Sequence, residues 1–105
     1  MKRIYNIDIQ KIADELDFDL EDVEMLLEVF LESANNSLVK LEEAIKINDM
    51  EGIIHTSHSI KGSAANLTLT NISEIAKEIE YSARETLNID YQEKYKILEK
   101  FIKSI

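Results

Sequence analysis

The fold class this chain predicts is all-α: an antiparallel four-helix bundle with a short additional N-terminal helix. Three observations predict it. Proline is absent and glycine occurs only twice in 105 residues, so breakers and strand-turn signals are scarce. Apolar residues recur at three- and four-residue spacing along most of the chain. The gaps between these stripes are short, which favours antiparallel neighbours.

Each element has its own justification. Ile9, Ile12, Ala13 and Leu16 predict a short first helix beginning near Asp8. Asp19 can cap a long second helix, with Asp22 in its first turn favourable to the helix dipole. Its apolar stripe runs Leu20, Val23, Leu26, Leu27, Phe30, Leu31, Ala34, Leu38, Leu41 and Ile45. Asn35-Asn36-Ser37 are poor helix formers in its middle and leave room for a bend. Asn48-Asp49 ends that helix and caps a third, which continues to about Asn66. Leu67-Thr68-Leu69 connects to a fourth helix capped by Thr70 or Asn71. Asn71 and Glu74 resemble a capping box there, and Ile72, Ile75, Ala76, Ile79 and Ala83 form the buried stripe. The fifth starts at Asp90, with Glu93 three positions on, and buries Tyr91, Tyr95, Leu98, Phe101, Ile102 and Ile105.

Composition bounds the function. The length suits one domain over residues 1–105, with a single core. At 45% hydrophobic and 31% charged residues the chain reads as folded and soluble. A net charge of −9 with no basic tract argues against nucleic acid and anionic membranes as partners. The amino terminus, Met1-Lys2-Arg3-Ile4-Tyr5-Asn6, lacks an apolar leader, and the initiating methionine favours a free-standing protein. With no cysteine, and no apolar run able to span a bilayer, a cytoplasmic location and a monomer are the expectations.

The informative stretch is His58-Ser59-Ile60-Lys61-Gly62. At about 100° per residue, Lys61 and Gly62 flank His58 within roughly 60°, whereas Ile53, Ile60, Ala64 and Leu67 lie on the far side. The helix should bury those four and turn His58 outward. Histidine is a good nucleophile near neutral pH, its ordinary pKa being about 6.5. A phosphoryl group on a ring nitrogen needs nearby positive charge and steric freedom, which Lys61 and Gly62 can provide. His55 shares the face one turn back. It is followed at i+3 and i+4 by His58 and Ser59, which supply neither the lysine nor the gap. Ile54 lies about 40° from His58 on the outward side, where a docking patch would use it.

The segment from His55 to Leu67, His-Thr-Ser-His-Ser-Ile-Lys-Gly-Ser-Ala-Ala-Asn-Leu, resembles the signature of histidine-containing phosphotransfer (HPt) domains. In that signature a histidine is followed by any residue, an aliphatic one, Lys-Gly, small residues and often Asn-Leu. Helix order and length agree over almost the whole chain. Thr68 stands where members of that family often have glycine, a departure that concerns the turn and not the phosphate chemistry.

The resemblance implies that His58 is the phosphoacceptor, through Nε2, with Lys61 offsetting phosphoryl charge and Gly62 leaving room for a phosphoaspartate loop. It implies Glu80 as the residue that orients the ring through Nδ1–H; the bland reading of Glu80 is a solvated carboxylate. Ile54, His55, Ala65 and Lys77 become candidates for partner contact, Lys77 also for lining the site. Exposed positions of the first helix and the start of the second extend that surface. The implied partners are response-regulator receiver domains and a sensor histidine kinase, hybrid or otherwise. The chain would carry no cofactor of its own, Mg²⁺ being expected on the receiver, and it would be a carrier and not an enzyme. No Gly-rich nucleotide loop is present, which argues against autonomous use of ATP.

Two other functions remain to be weighed. Glu51, His55 and His58 share one face and would allow a metal site, although Lys61 would repel a cation and no Glu-x-x-His pair stands on a second helix. A helical adaptor that binds receivers without carrying phosphate would not require histidine, lysine and glycine together.

Overall fold

The computed structural model describes residues 5–105. Met1-Lys2-Arg3-Ile4, part of the segment read above for a leader and an initiating methionine, lies outside them. Five helices follow one another: α1 Ile9–Leu16, α2 Leu20–Lys46, α3 Met50–Asn66, α4 Thr70–Arg84 and α5 Tyr91–Lys103. α3 packs against α2 and α4, and α5 against α4 and α2, which closes a ring of four helices, while α1 lies against α2. The 27 residues of α2 at about 1.5 Å each account for the longest dimension, 42 Å. α2 is unbroken through Asn35-Asn36-Ser37. No helix among the described residues is long and apolar enough to cross a membrane.

Three helices start where an aspartate closes the first turn. Asp8, Asp49 and Asp90 accept from the backbone N–H of Lys11, Gly52 and Glu93 at 3.1, 3.0 and 3.0 Å, each bond contributing about 1 kcal/mol. Asp19 occupies the N-cap of α2 without a side-chain bond. The fourth helix corrects the sequence reading: its N-cap is Leu69, so Thr70 and Asn71 lie inside the first turn and the Asn71–Glu74 box does not form at the cap. The reason lies at the end of α3. Leu69 N–H reaches back to Ala64 O at 2.9 Å, and Thr68 N–H to Ala65 O at 3.0 Å. This double closure leaves only three residues between the helices.

The same closure ends α2 and α4, where Asp49 N–H reaches Ala44 O and Leu87 N–H reaches Ser82 O. It places Asn48, Thr68 and Thr86 at φ of 56°, 56° and 51°, and Asp17 adopts 56° after α1. Glycine usually fills such left-handed positions. Thr68 therefore takes the geometry a glycine would give, with a β-branched side chain in a region that disfavours it.

The core follows the predicted stripes. Val23, Leu27, Leu41, Ile53, Ile79, Leu98 and Ile102 are almost fully buried, with Ile60, Ala64 and Leu67 closing the inner face of α3. Two positions depart from their stripes: Leu26 and Phe101 are 36% and 37% exposed, on the shoulders of helices whose buried faces are narrower than their apolar patterns.

Candidate functional site

α3 is oriented by what it must bury. Ile53, Ser57, Ile60 and Ala64 point inward, and Ser57 survives burial because its hydroxyl donates to Ile53 O at 2.6 Å. The opposite face then presents His55, His58, Gly62 and Ala65 to solvent. The His58 side chain is 60% exposed. A Cβ built on Gly62 meets nothing within 4 Å, so the backbone beside His58 is open.

Behind His58 stands Glu80 of α4, 5% exposed. Burial excludes the solvated reading. Its Oε2 lies 2.9 Å from His58 Nδ1, and its Oε1 lies 2.7 Å from Lys61 Nζ. Arg84, one turn further along α4, donates to Oε2 through Nη2 at 2.8 Å and through Nε at 3.0 Å. Burial pushes the Glu80 carboxyl up, but hydrogen bonds from Lys61, Arg84 and His58 more than reverse this and hold it at about 2. An ionised carboxylate only accepts, so His58 Nδ1 carries the proton and donates. In a neutral ring the lone pair is then on Nε2, the nitrogen turned away from Glu80. One carboxylate against two cations leaves positive charge over at this spot, on a chain of net charge −9.

The structure thus brings His58, Lys61 and Glu80 together with Gly62 alongside. Lys61 differs from a simple solvent-facing lysine: its side chain is only 29% exposed and is engaged with Glu80. Ile54 is also corrected. It is half-buried and packs against the core edge, so it is not a lone exposed isoleucine. Lys77 is exposed, and no hydrogen bond or ion pair among the described residues ties it to the cluster. Sequence reasoning missed Arg84, although its i, i+4 spacing from Glu80 was a usable signal. It also left unnamed the exposed apolar residues Phe18, Met25 and Val29, at the α1–α2 connection and in the first half of α2, and it counted their exposed neighbour Leu26 as core. Val29, Ser33 and Ser37 of α2 line a surface groove with Ser59 of α3, the neighbour of His58. Glu51, His55 and His58 share one face of α3, and among the described residues no three His, Cys, Asp or Glu side chains gather to hold an ion.

Four packed helices presenting an exposed histidine against a buried, cation-paired carboxylate define a helical histidine-carrier class. The Hpt domain family model matches residues 25–102, and the chain belongs to that family. Such domains serve histidine phosphotransfer in two-component signalling, interact with response regulators and kinases, and are phosphocarriers rather than enzymes. Neither the curated proteins nor the solved structures compared with the chain gave a match.

Proposed function

We propose that the chain is a phosphorelay carrier in which His58 accepts a phosphoryl group from an aspartyl phosphate on one receiver domain and yields it to an aspartate on another. The Nε2 lone pair forms the N–P bond while the acyl phosphate P–O bond breaks, and the electron pair leaves with the aspartate carboxylate. The ring keeps its Nδ1 proton and becomes cationic, a charge that Glu80 offsets. The observation that carries this reading is the 2.9 Å contact from the Nδ1 of an exposed His58 to a buried, ionised Glu80. It selects the tautomer with a free Nε2 and holds the ring in one orientation.

Lys61 offsets the charge of the incoming phosphoryl group, and open space at Gly62 admits the donor loop. His55, Ala65, Lys77 and the edge of Ile54, with Phe18, Met25, Leu26 and Val29, form the surface that a receiver covers. The receiver brings Mg²⁺; a sensor histidine kinase, hybrid or otherwise, starts the relay. The carrier works as a cytoplasmic monomer.

The test is to mix the protein with a phosphorylated receiver and assay acid-labile, alkali-stable label. Wild type and His55→Gln should take label, and His58→Gln should take none. An unlabelled wild type, or undiminished label on His58→Gln, defeats the reading. Lys61→Ala should still fold, less stable by about 1 kcal/mol for the lost Glu80 partner, and transfer more slowly.

A further inference from the structure

Glu80 is paired with more positive charge than a ring-orienting acceptor needs. Its Oε1 is held by Lys61, while its Oε2 is shared between the His58 ring and two N–H groups of Arg84. The two cations are not equivalent. Lys61 sits on α3, three residues from His58, and ends in a point charge on a flexible stem. Arg84 is the last residue of α4 and grips one oxygen through two donors of a planar fork, a geometry that resists rearrangement. A phosphoryl dianion on Nε2 would draw the nearest mobile cation. Moving Lys61 there strips Glu80 of its Oε1 partner, and a buried carboxylate short of compensation is costly.

We propose that Arg84 is a positioning residue that anchors the Glu80 carboxylate, so that Lys61 can leave it for the phosphoryl group on His58. The inference rests on the carrier reading above. With Arg84 in place, Glu80 keeps a cation and its bond to Nδ1–H throughout. Without Arg84, Lys61 is the one permanent cation left on Glu80 beside the ring it orients, and each phosphoryl group must compete with a buried carboxylate for it. Arg84 itself then acts through Glu80 and does not touch the phosphoryl group.

The test uses phosphoramidate as a small donor that needs no partner protein. Nε2 attacks its phosphorus, the P–N bond breaks and ammonia leaves. Label on His58 and the lifetime of the phosphohistidine are followed in wild type, Arg84→Ala, Arg84→Lys, Glu80→Gln and the Arg84→Ala/Glu80→Gln double variant, with thermal melts checking each fold. Arg84→Ala should shorten the lifetime about fivefold, the upper size for an ion pair with one half-exposed partner, and Arg84→Lys should recover most of that loss. In the Glu80→Gln background no buried negative charge competes for Lys61, so adding Arg84→Ala should change nothing further. An equal loss in both backgrounds would mean that Arg84 contacts the phosphoryl group directly, and would overturn the inference while leaving the carrier reading intact. No effect of Arg84→Ala in the wild-type background would overturn it as well. A wild type that takes no label on His58 removes the carrier reading and the inference together.

Discussion

The two glycines of α3 lie ten residues apart in one helix and occupy opposite surroundings. A Cβ on Gly52 would come within 2.5 Å of the Asp49 Oδ2 that belongs to the helix cap, and within 3.1 Å of the Cβ of Ala44 on α2. A Cβ on Gly62 would meet nothing. At the first, glycine lets two helices approach while the cap closes; at the second, the fold asks for nothing, and glycine costs about 1 kcal/mol of helix propensity without an internal return. The N-terminal turn of α3 is thus built for stability and its middle for access. Under the carrier reading, a residue that weakens the fold and relieves no internal contact keeps a surface clear for a visitor.

The largest effect should come from filling that space. Gly62→Gln should leave the melting temperature unchanged or raised, yet cut transfer from a phosphorylated receiver by about a hundredfold, since displacing reacting groups by an ångström is that costly. Labelling by a small donor should fall far less, because only a macromolecule needs the clearance. Equal losses with both donors would show that Gly62 serves the ring and not the docking.

The same division predicts how acid acts on the molecule. Glu80 is held at about 2 against an ordinary 4.5. A carboxyl lowered on folding contributes stability that is present in full above about pH 4.5 and lost as pH falls through about 2, on the order of 2–3 kcal/mol given its partly exposed partners. Chemical denaturation of wild type and Glu80→Gln should therefore differ most above pH 5 and converge towards pH 2. A constant gap would place the stabilisation in shape and not in charge.

Much of this was legible in the sequence because it rests on local rules. Asp8, Asp49 and Asp90 announce their helices through short-range bonds to the backbone, and the outward turn of His58 and Gly62 follows from periodicity alone. Where non-local contacts decide, the reading thinned. The α4 cap moved to Leu69 because the end of α3 folds back on itself. Glu80 could be named from the family pattern, but its burial required α4 to lie against α3. Arg84 was overlooked in favour of Lys77, because a cation three residues before Glu80 and one four residues after it differ only once both helices are placed. Lys61 looked free for the same reason, its partner being on another helix.

Smaller effects of opposite sign should separate the two glycines directly. Gly52→Ala should destabilise by about 1 kcal/mol, the displaced cap and crowded Ala44 outweighing the gain in propensity. Gly62→Ala should stabilise by about 0.5–1 kcal/mol. Thermal melts and urea titrations of the two variants are sufficient. A shared sign would erase the distinction between a structural and an accessible half of α3.

The smallest expected effect extends the comparison to the far end of the helix. Thr68 closes α3 at φ 56°, its own N–H donating to Ala65 O while the Leu69 N–H donates to Ala64 O. A β-branched residue there carries strain of about 1 kcal/mol that glycine would not. Part of the gain on substitution is offset by the greater freedom glycine has in the unfolded chain. Thr68→Gly should therefore stabilise by about 0.5 kcal/mol, read as a rise in the urea midpoint at constant slope. Thr68 is half-buried and lies about two helical turns beyond Lys61, past the end of α3, so receiver-driven labelling of His58 should not change. If it slows, the turn between α3 and α4 sets the spacing of His58 and Glu80, and the C-terminal end of α3 belongs with the site; if it does not, both ends of the helix are scaffold and only its middle is reserved for transfer.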